Sequence, residues 1–203
     1  MSKKFFSLLL MMLIGGSVFA APPESWINNS ISYDWAINSE LPLTSGEAET
    51  IGYDLSWFGF PGGSAVGVST RVGLGFSLDA VPSFIRMHSF MGPAFTTVMG
   101  RGTLGYVAIG PTYTISRYED PSAFADQQLG IGLDVGARFA LAADERWDFG
   151  FVAGATGDIT FLRFVNSTRI QGFSANIRGY FGFSFGSAMI FSGFGMYPPV
   201  IYI

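Results

Sequence analysis

Apolar and polar residues alternate at every second position in seven stretches of this chain, and the apolar side of each stretch carries almost no charge. Over 65–79 one side reads Val66, Val68, Thr70, Val72, Leu74, Phe76, Leu78. The other reads Ala65, Gly67, Ser69, Arg71, Gly73, Gly75, Ser77, Asp79. Successive side chains of a strand point to opposite faces, so this period of two predicts one long two-faced strand. Globular strands are typically ~5–6 residues. A longer strand, bare and apolar on one face and small, polar and charged on the other, is what the wall of a lipid-embedded barrel requires.

The same period places further strands at about 30–38, 49–60, 103–117, 128–141, 147–162 and 172–186, with a less regular one at 88–99 that Gly92-Pro93 is expected to interrupt. Pro111 cannot donate to a ladder, so a bulge is expected there. Connections at 39–48, 80–87, 118–127 and 163–171 are longer, and those at 61–64, 100–102 and 142–146 are short turns. That alternation predicts an all-β fold, a transmembrane antiparallel up-and-down β-barrel of about eight strands, with short periplasmic turns and longer outer loops. Segment 187–203 is apolar and ends Tyr197-Pro198-Pro199-Val200-Ile201-Tyr202-Ile203. As a tail or a lumen plug it leaves eight strands; as a last strand it raises the count toward ten.

Composition narrows the setting. Lys3 and Lys4, the apolar run Phe5 to Ile14 and the small-x-small site Val18-Phe19-Ala20 predict a cleaved secretory signal peptide over 1–20, leaving 21–203 as the barrel domain. With the signal go both lysines; nine arginines against fifteen acids remain. Such an acidic, lysine-free chain is not expected to bind nucleic acid. No run in 21–203 is long and apolar enough for a spanning helix. Only a closed barrel then satisfies every backbone group in lipid. A soluble barrel would carry lysine and glutamate on its outward face; here the charges fall on the Gly/Ser face.

In these alternating segments, the Val18-Phe19-Ala20 signal and the alternation of turn lengths, the chain resembles the small bacterial outer-membrane β-barrel proteins of the OmpA/OmpX/OmpW type. The resemblance implies localisation in the outer membrane and contact with outer-membrane lipids. It also implies delivery by periplasmic chaperones and the outer-membrane insertion machinery, and a monomer. Such chains usually end in an aromatic residue; here Ile203 follows Tyr202.

By parity Asp34, Asp54, Arg71, Asp134, Arg138, Asp148, Asp158 and Arg178 share the inward face. A small barrel is filled by its side chains, and buried charges must be paired. These residues are therefore expected to form a lumen polar network that ties the strands together. Read as a conduit instead, the excess of aspartates would prefer cations. Arg86 falls in a connection. Gly73 points inward, where a serine is expected to cost much less than arginine at Leu74. His88 is the only histidine and reads as a loop or strand-end residue. Ser89 beside it would point to the opposite face, so no serine–histidine pair forms. With one histidine and no cysteine, neither a metal site nor a cofactor is expected. Trp26, Trp57, Trp147, Phe60 and Phe149 are expected to form an interfacial aromatic girdle. These features favour a non-enzymatic outer-membrane barrel, structural or passing small or apolar solutes. The alternatives are a lipid-modifying enzyme with His88 at the rim, and an adhesin or receptor acting through the outer loops.

Overall fold

The computed structural model describes residues 25–37, 49–78, 83–100, 103–119, 125–143, 147–170 and 174–187. The signal assigned to 1–20 and the segment 188–203 lie outside these residues. The strands are β1 (Ser25–Ile37), β2 (Thr50–Gly59), β3 (Val66–Ser77), β4 (Phe84–Gly100), β5 (Thr103–Tyr118), β6 (Ala125–Ala143), β7 (Trp147–Val165), the short β8 (Thr168–Ile170) and β9 (Ser174–Ser187). Neighbours in sequence pair antiparallel from β1 through β7, β7 pairs with β9, and β9 returns to β1. Eight long strands close on themselves, with no open edge in the wall. The closing ladder runs from Trp26 opposite Gly186 to Ile37 opposite Ala175, and is complete without 188–203.

The period of two sorts the faces. Ile31, Val72, Leu74, Phe76, Ile131, Phe161, Phe181 and Phe183 are exposed on the outside, whereas Asp34, Asp54, Arg71, Asp134 and Arg138 are buried within. An exposed apolar belt around the whole circumference is the lipid contact of a transmembrane barrel.

Several elements differ from the sequence expectation, and β1 begins five residues before the expected 30. β4 runs unbroken through Gly92-Pro93 and begins four residues earlier than its alternation suggested. A side chain at Gly92 or Gly110 would overlap the backbone of the facing strand, so this glycine pair lets β4 and β5 approach closely there, while Pro93 points to lipid. Pro111 makes no bulge: Phe90 opposite Thr112 and Ala94 opposite Ala108 keep one register across it. A bulge occurs instead on β7, where Leu129 faces Leu162 but Gly130 faces Thr160, leaving Phe161 extra. Finally, the expected loop at 163–171 is largely ladder. β7 continues to Val165, turns at Asn166 and Ser167, both with positive φ, and pairs back through β8.

Candidate functional site

Among the described residues the lumen gathers the buried polar chemistry of this fold, and its side chains stack in levels. At the short-turn end, next to the 3-10 turn Pro61–Gly63, Trp26 stacks on Phe58 at 5.1 Å and on Phe60 at 4.9 Å, with Tyr106 tilted against Phe58 at 4.6 Å. All four are fully buried. Trp26 and Phe60 therefore do not belong to an outer girdle: they face inward and cork the barrel. The stack draws Phe58 from β2, and Phe60 just past its end, against Trp26 of β1. Phe149 does lie outside, stacked on Phe183 at 5.7 Å, and Trp57 is half-buried on the outward face of β2. The side chain of Trp147 lies outside the described set.

Above the cork, Arg138 spans β6, β7 and β9. Its Nη1 donates to Asp148 at 2.9 Å, its Nη2 donates to the other Asp148 oxygen, and its Nε donates to Ser184 at 2.6 Å. The planar fork of arginine matches a carboxylate in this bidentate way. In the next level Arg71 Nη2 donates to Asp134 at 2.7 Å while its guanidinium lies 4.0 Å over the Tyr180 ring. Tyr180 donates to the second oxygen of Asp134 at 2.6 Å, and its own oxygen sits 2.6 Å from that of Tyr106. Arg71 Nε and Nη1 find no acceptor among the described residues, so the aromatic face and one carboxylate hold this cation.

Higher still, Arg178 reaches across the closing seam. It donates to Asp34 at 2.9 Å, to Asp54 at 3.5 Å, and lies against His88. Asp34 and Arg178 are direct cross-strand partners of β1 and β9. Arg86 donates to the same Asp34 oxygen at 2.9 Å and to Ser116 at 3.3 Å. His88 Nε2 is 3.1 Å from Asp54. At the long-loop end Arg163 binds both oxygens of Asp126 at 3.0 Å, and Gln128 donates to Asp126 at 2.9 Å. Asp158 pairs with Asn176 at 3.0 Å rather than with an arginine. Beside Arg71, His88 and Asp158 the described residues line a cavity of about 20 Å³, room for a water molecule.

Three assignments change. Arg86 is not a loop residue but 3% exposed inside β4. Extending that strand by two further pairs puts it on the face of His88, a signal available in the sequence. His88 is a lumen residue, between Asp54 and Arg178, because β4 starts earlier than its alternation suggested. Arg163, placed in an outer loop, is buried, and parity could not have found it: the bulge at Phe161 reverses the faces beyond it. Asp126, Tyr106 and Tyr180 were also missed as partners. With Arg86 and Arg163 added, the described lumen holds arginines 71, 86, 138, 163 and 178 against aspartates 34, 54, 126, 134, 148 and 158. Charge is close to balanced, which removes the basis for a strong cation preference.

Arg86→Ala is expected to lower stability by about 2–3 kcal/mol, less than the ~3–5 of an unshared buried pair because Asp34 keeps Arg178. Urea titration of the folded band of unboiled protein on a denaturing gel measures it. A change indistinguishable from that of an exposed residue would place Arg86 outside the network.

No family model matches the chain, and no curated protein matches it. Among solved structures it is similar to Neisserial surface protein A, with 11% identity, a TM-score of 0.61, and coverage of 81% of this chain and 97% of that one. It is also similar to Ail, the attachment invasion locus protein of Yersinia pestis, with 12% identity, a TM-score of 0.50, and coverage of 80% and 98%. At such identities the likeness is one of fold: the closed eight-stranded barrel of small outer-membrane proteins. By that fold and by its apolar belt the chain is a membrane-spanning β-barrel of the outer-membrane type.

Proposed function

We propose that this barrel is a non-conducting structural element of the outer membrane rather than a pore or an enzyme. The observation that carries the reading is the filled lumen: an aromatic cork at one end, then successive levels of paired arginine and aspartate up to Arg163 and Asp126. A solute would have to displace buried ion pairs, each strongly unfavourable to separate. The short-turn end, closed by the cork, faces the periplasm and the long-loop end faces outward. Insertion proceeds through periplasmic chaperones and the outer-membrane insertion machinery, since the belt is insoluble in water.

The non-enzymatic part of the reading is supported by the placement of the one histidine. His88 points inward to Asp54 and Arg178, while the hydroxyl of Ser89 on the other face donates to the Tyr113 carbonyl at 3.4 Å. A nucleophile and its base must lie within hydrogen-bond reach, and these two point apart. Planar-bilayer recording of the refolded protein tests the whole reading. The expected result is no steady open state. A reproducible conductance in the wild-type barrel would overturn the structural reading in favour of solute passage, and acyl-chain hydrolysis lost in His88→Ala would overturn the non-enzymatic one.

A further inference from the structure

The belt ends at the long-loop rim in a way that differs around the circumference. On β5 to β8 one ladder row crosses four strands on the outward face. Ile115 is opposite Gln127, Gln127 is opposite Phe164, and Phe164 is opposite Arg169. Directly paired residues of antiparallel strands point to the same side. Ile115 follows the exposed, lipid-facing Tyr113 by one pleat, and Leu129 fixes Gln127 outward in the same manner. Arg117 stands one pleat above Ile115 and is exposed, as is Arg169 at the far end of the row. Strands are ≈ 4.7–4.9 Å apart, so the row spans on the order of 14 Å.

Donors stand at both ends of this row and within it. Tyr113 donates its hydroxyl to Gln127 Oε1 at 3.2 Å, which holds that amide on the outward face. Arg117 and Arg169 offer only donors. Among the described residues of this side of the rim, the carboxylate of Glu119 accepts from Ser83, which precedes β4. Asp126, between Arg117 and Arg169 in sequence order, points inward and is held by Arg163. A wall that is apolar below and a line of guanidinium and amide donors above matches an amphiphile with its chains against the belt and an anionic head at the rim.

We propose that the β5–β8 rim is a docking surface for an anionic phospholipid, its phosphate bound through Arg117 and Arg169 with the Gln127 amide between them, its acyl chains lying below Phe164 and Ile115. The surface is continuous with the lipid-contact belt, which sets the occupant as a membrane lipid rather than a soluble anion. Guanidinium groups bind phosphate oxygens in a fork that suits them better than a zwitterionic head already neutralised by its own cation. The proposal is independent of whether the lumen conducts.

The test is lipid retention by the full refolded chain in detergent, by native mass spectrometry, with phosphatidylglycerol and phosphatidylcholine of equal chain length. Wild-type protein should retain phosphatidylglycerol preferentially. Each basic residue near an anionic surface is worth about fivefold, so R117Q/R169Q together should reduce the preference about twenty-fivefold. Both side chains are exposed at strand ends, and the folded band of the unboiled double variant verifies that the barrel is intact. E119Q, also at the rim, should not weaken retention. Equal retention of the two lipids by the wild type, or an unchanged preference in R117Q/R169Q, would overturn the assignment. Millimolar inorganic phosphate should fail to displace the lipid; displacement would mean a free-phosphate site and would equally overturn it.

Discussion

Asp134→Ala will lower the stability of the folded barrel by about 3–5 kcal/mol, the cost of breaking a buried ion pair by removing one partner. Asp134 is fully buried and accepts from both Arg71 and Tyr180. Its loss leaves the Arg71 guanidinium with only the Tyr180 face, because Nε and Nη1 already have no acceptor among the described residues. Asp134→Asn will recover little, since the amide keeps the shape and removes the charge. The double change Arg71→Met with Asp134→Leu will recover most of the loss, because replacing both members of a buried pair by apolar groups of similar size is often neutral or stabilising. Urea midpoints of the heat-modifiable band give the values for the three variants against wild type. A single variant within about 0.5 kcal/mol of wild type, the ordinary range of a surface change, would show that the pair is not part of what holds the wall together.

Leu74→Arg will cost roughly 2–4 kcal/mol in a bilayer, the range for arginine at mid-depth on the lipid face of a barrel. Leu74 points outward and is 42% exposed. Its neighbour Gly73 is not the permissive site its small size suggested. A Cβ there would overlap Asp54 Oδ1 and the His88 ring, so Gly73→Ser must push apart the level that Arg178 holds. Overpacking of this kind costs about 1–3 kcal/mol, comparable with the lipid-face change. The two causes separate by solvent. The Leu74→Arg cost will shrink in small detergent micelles, where water reaches the belt, whereas the Gly73→Ser cost is internal and will persist. If Leu74→Arg were neutral in bilayers, the exposed face of β3 would not be the lipid face.

Arg71, Arg138 and Arg178 could be assigned to the inward face from the sequence because strand parity is a local rule and these strands carry it without interruption. Asp34, Asp54 and Asp134 followed for the same reason. Arg86 lay within reach of that rule and was lost because the strand was begun at 88 and 80–87 was read as a connection, whereas the ladder starts at Phe84. Trp26 and Phe60 were misplaced because an aromatic residue near a strand end suits a membrane interface; carried to the strand ends, the same parity puts Trp26 on the face of Asp34 and Phe60 on the face of Asp54. Arg163 was beyond any local rule, because one extra residue at Phe161 exchanges the two faces.

What the sequence determined by itself is the class of molecule: a period of two with a bare apolar face permits only a wall between lipid and a polar interior, and an even set of such segments can close. What the tertiary structure decided is the pairing. Arg71 meets Asp134 across 63 residues and Arg178 meets Asp34 across 144. Which guanidinium finds which carboxylate depends on strand stagger and barrel radius, quantities fixed by ladder closure between β1 and β9 and carried by no single segment. Alternation sets the direction of a side chain; closure sets what it meets.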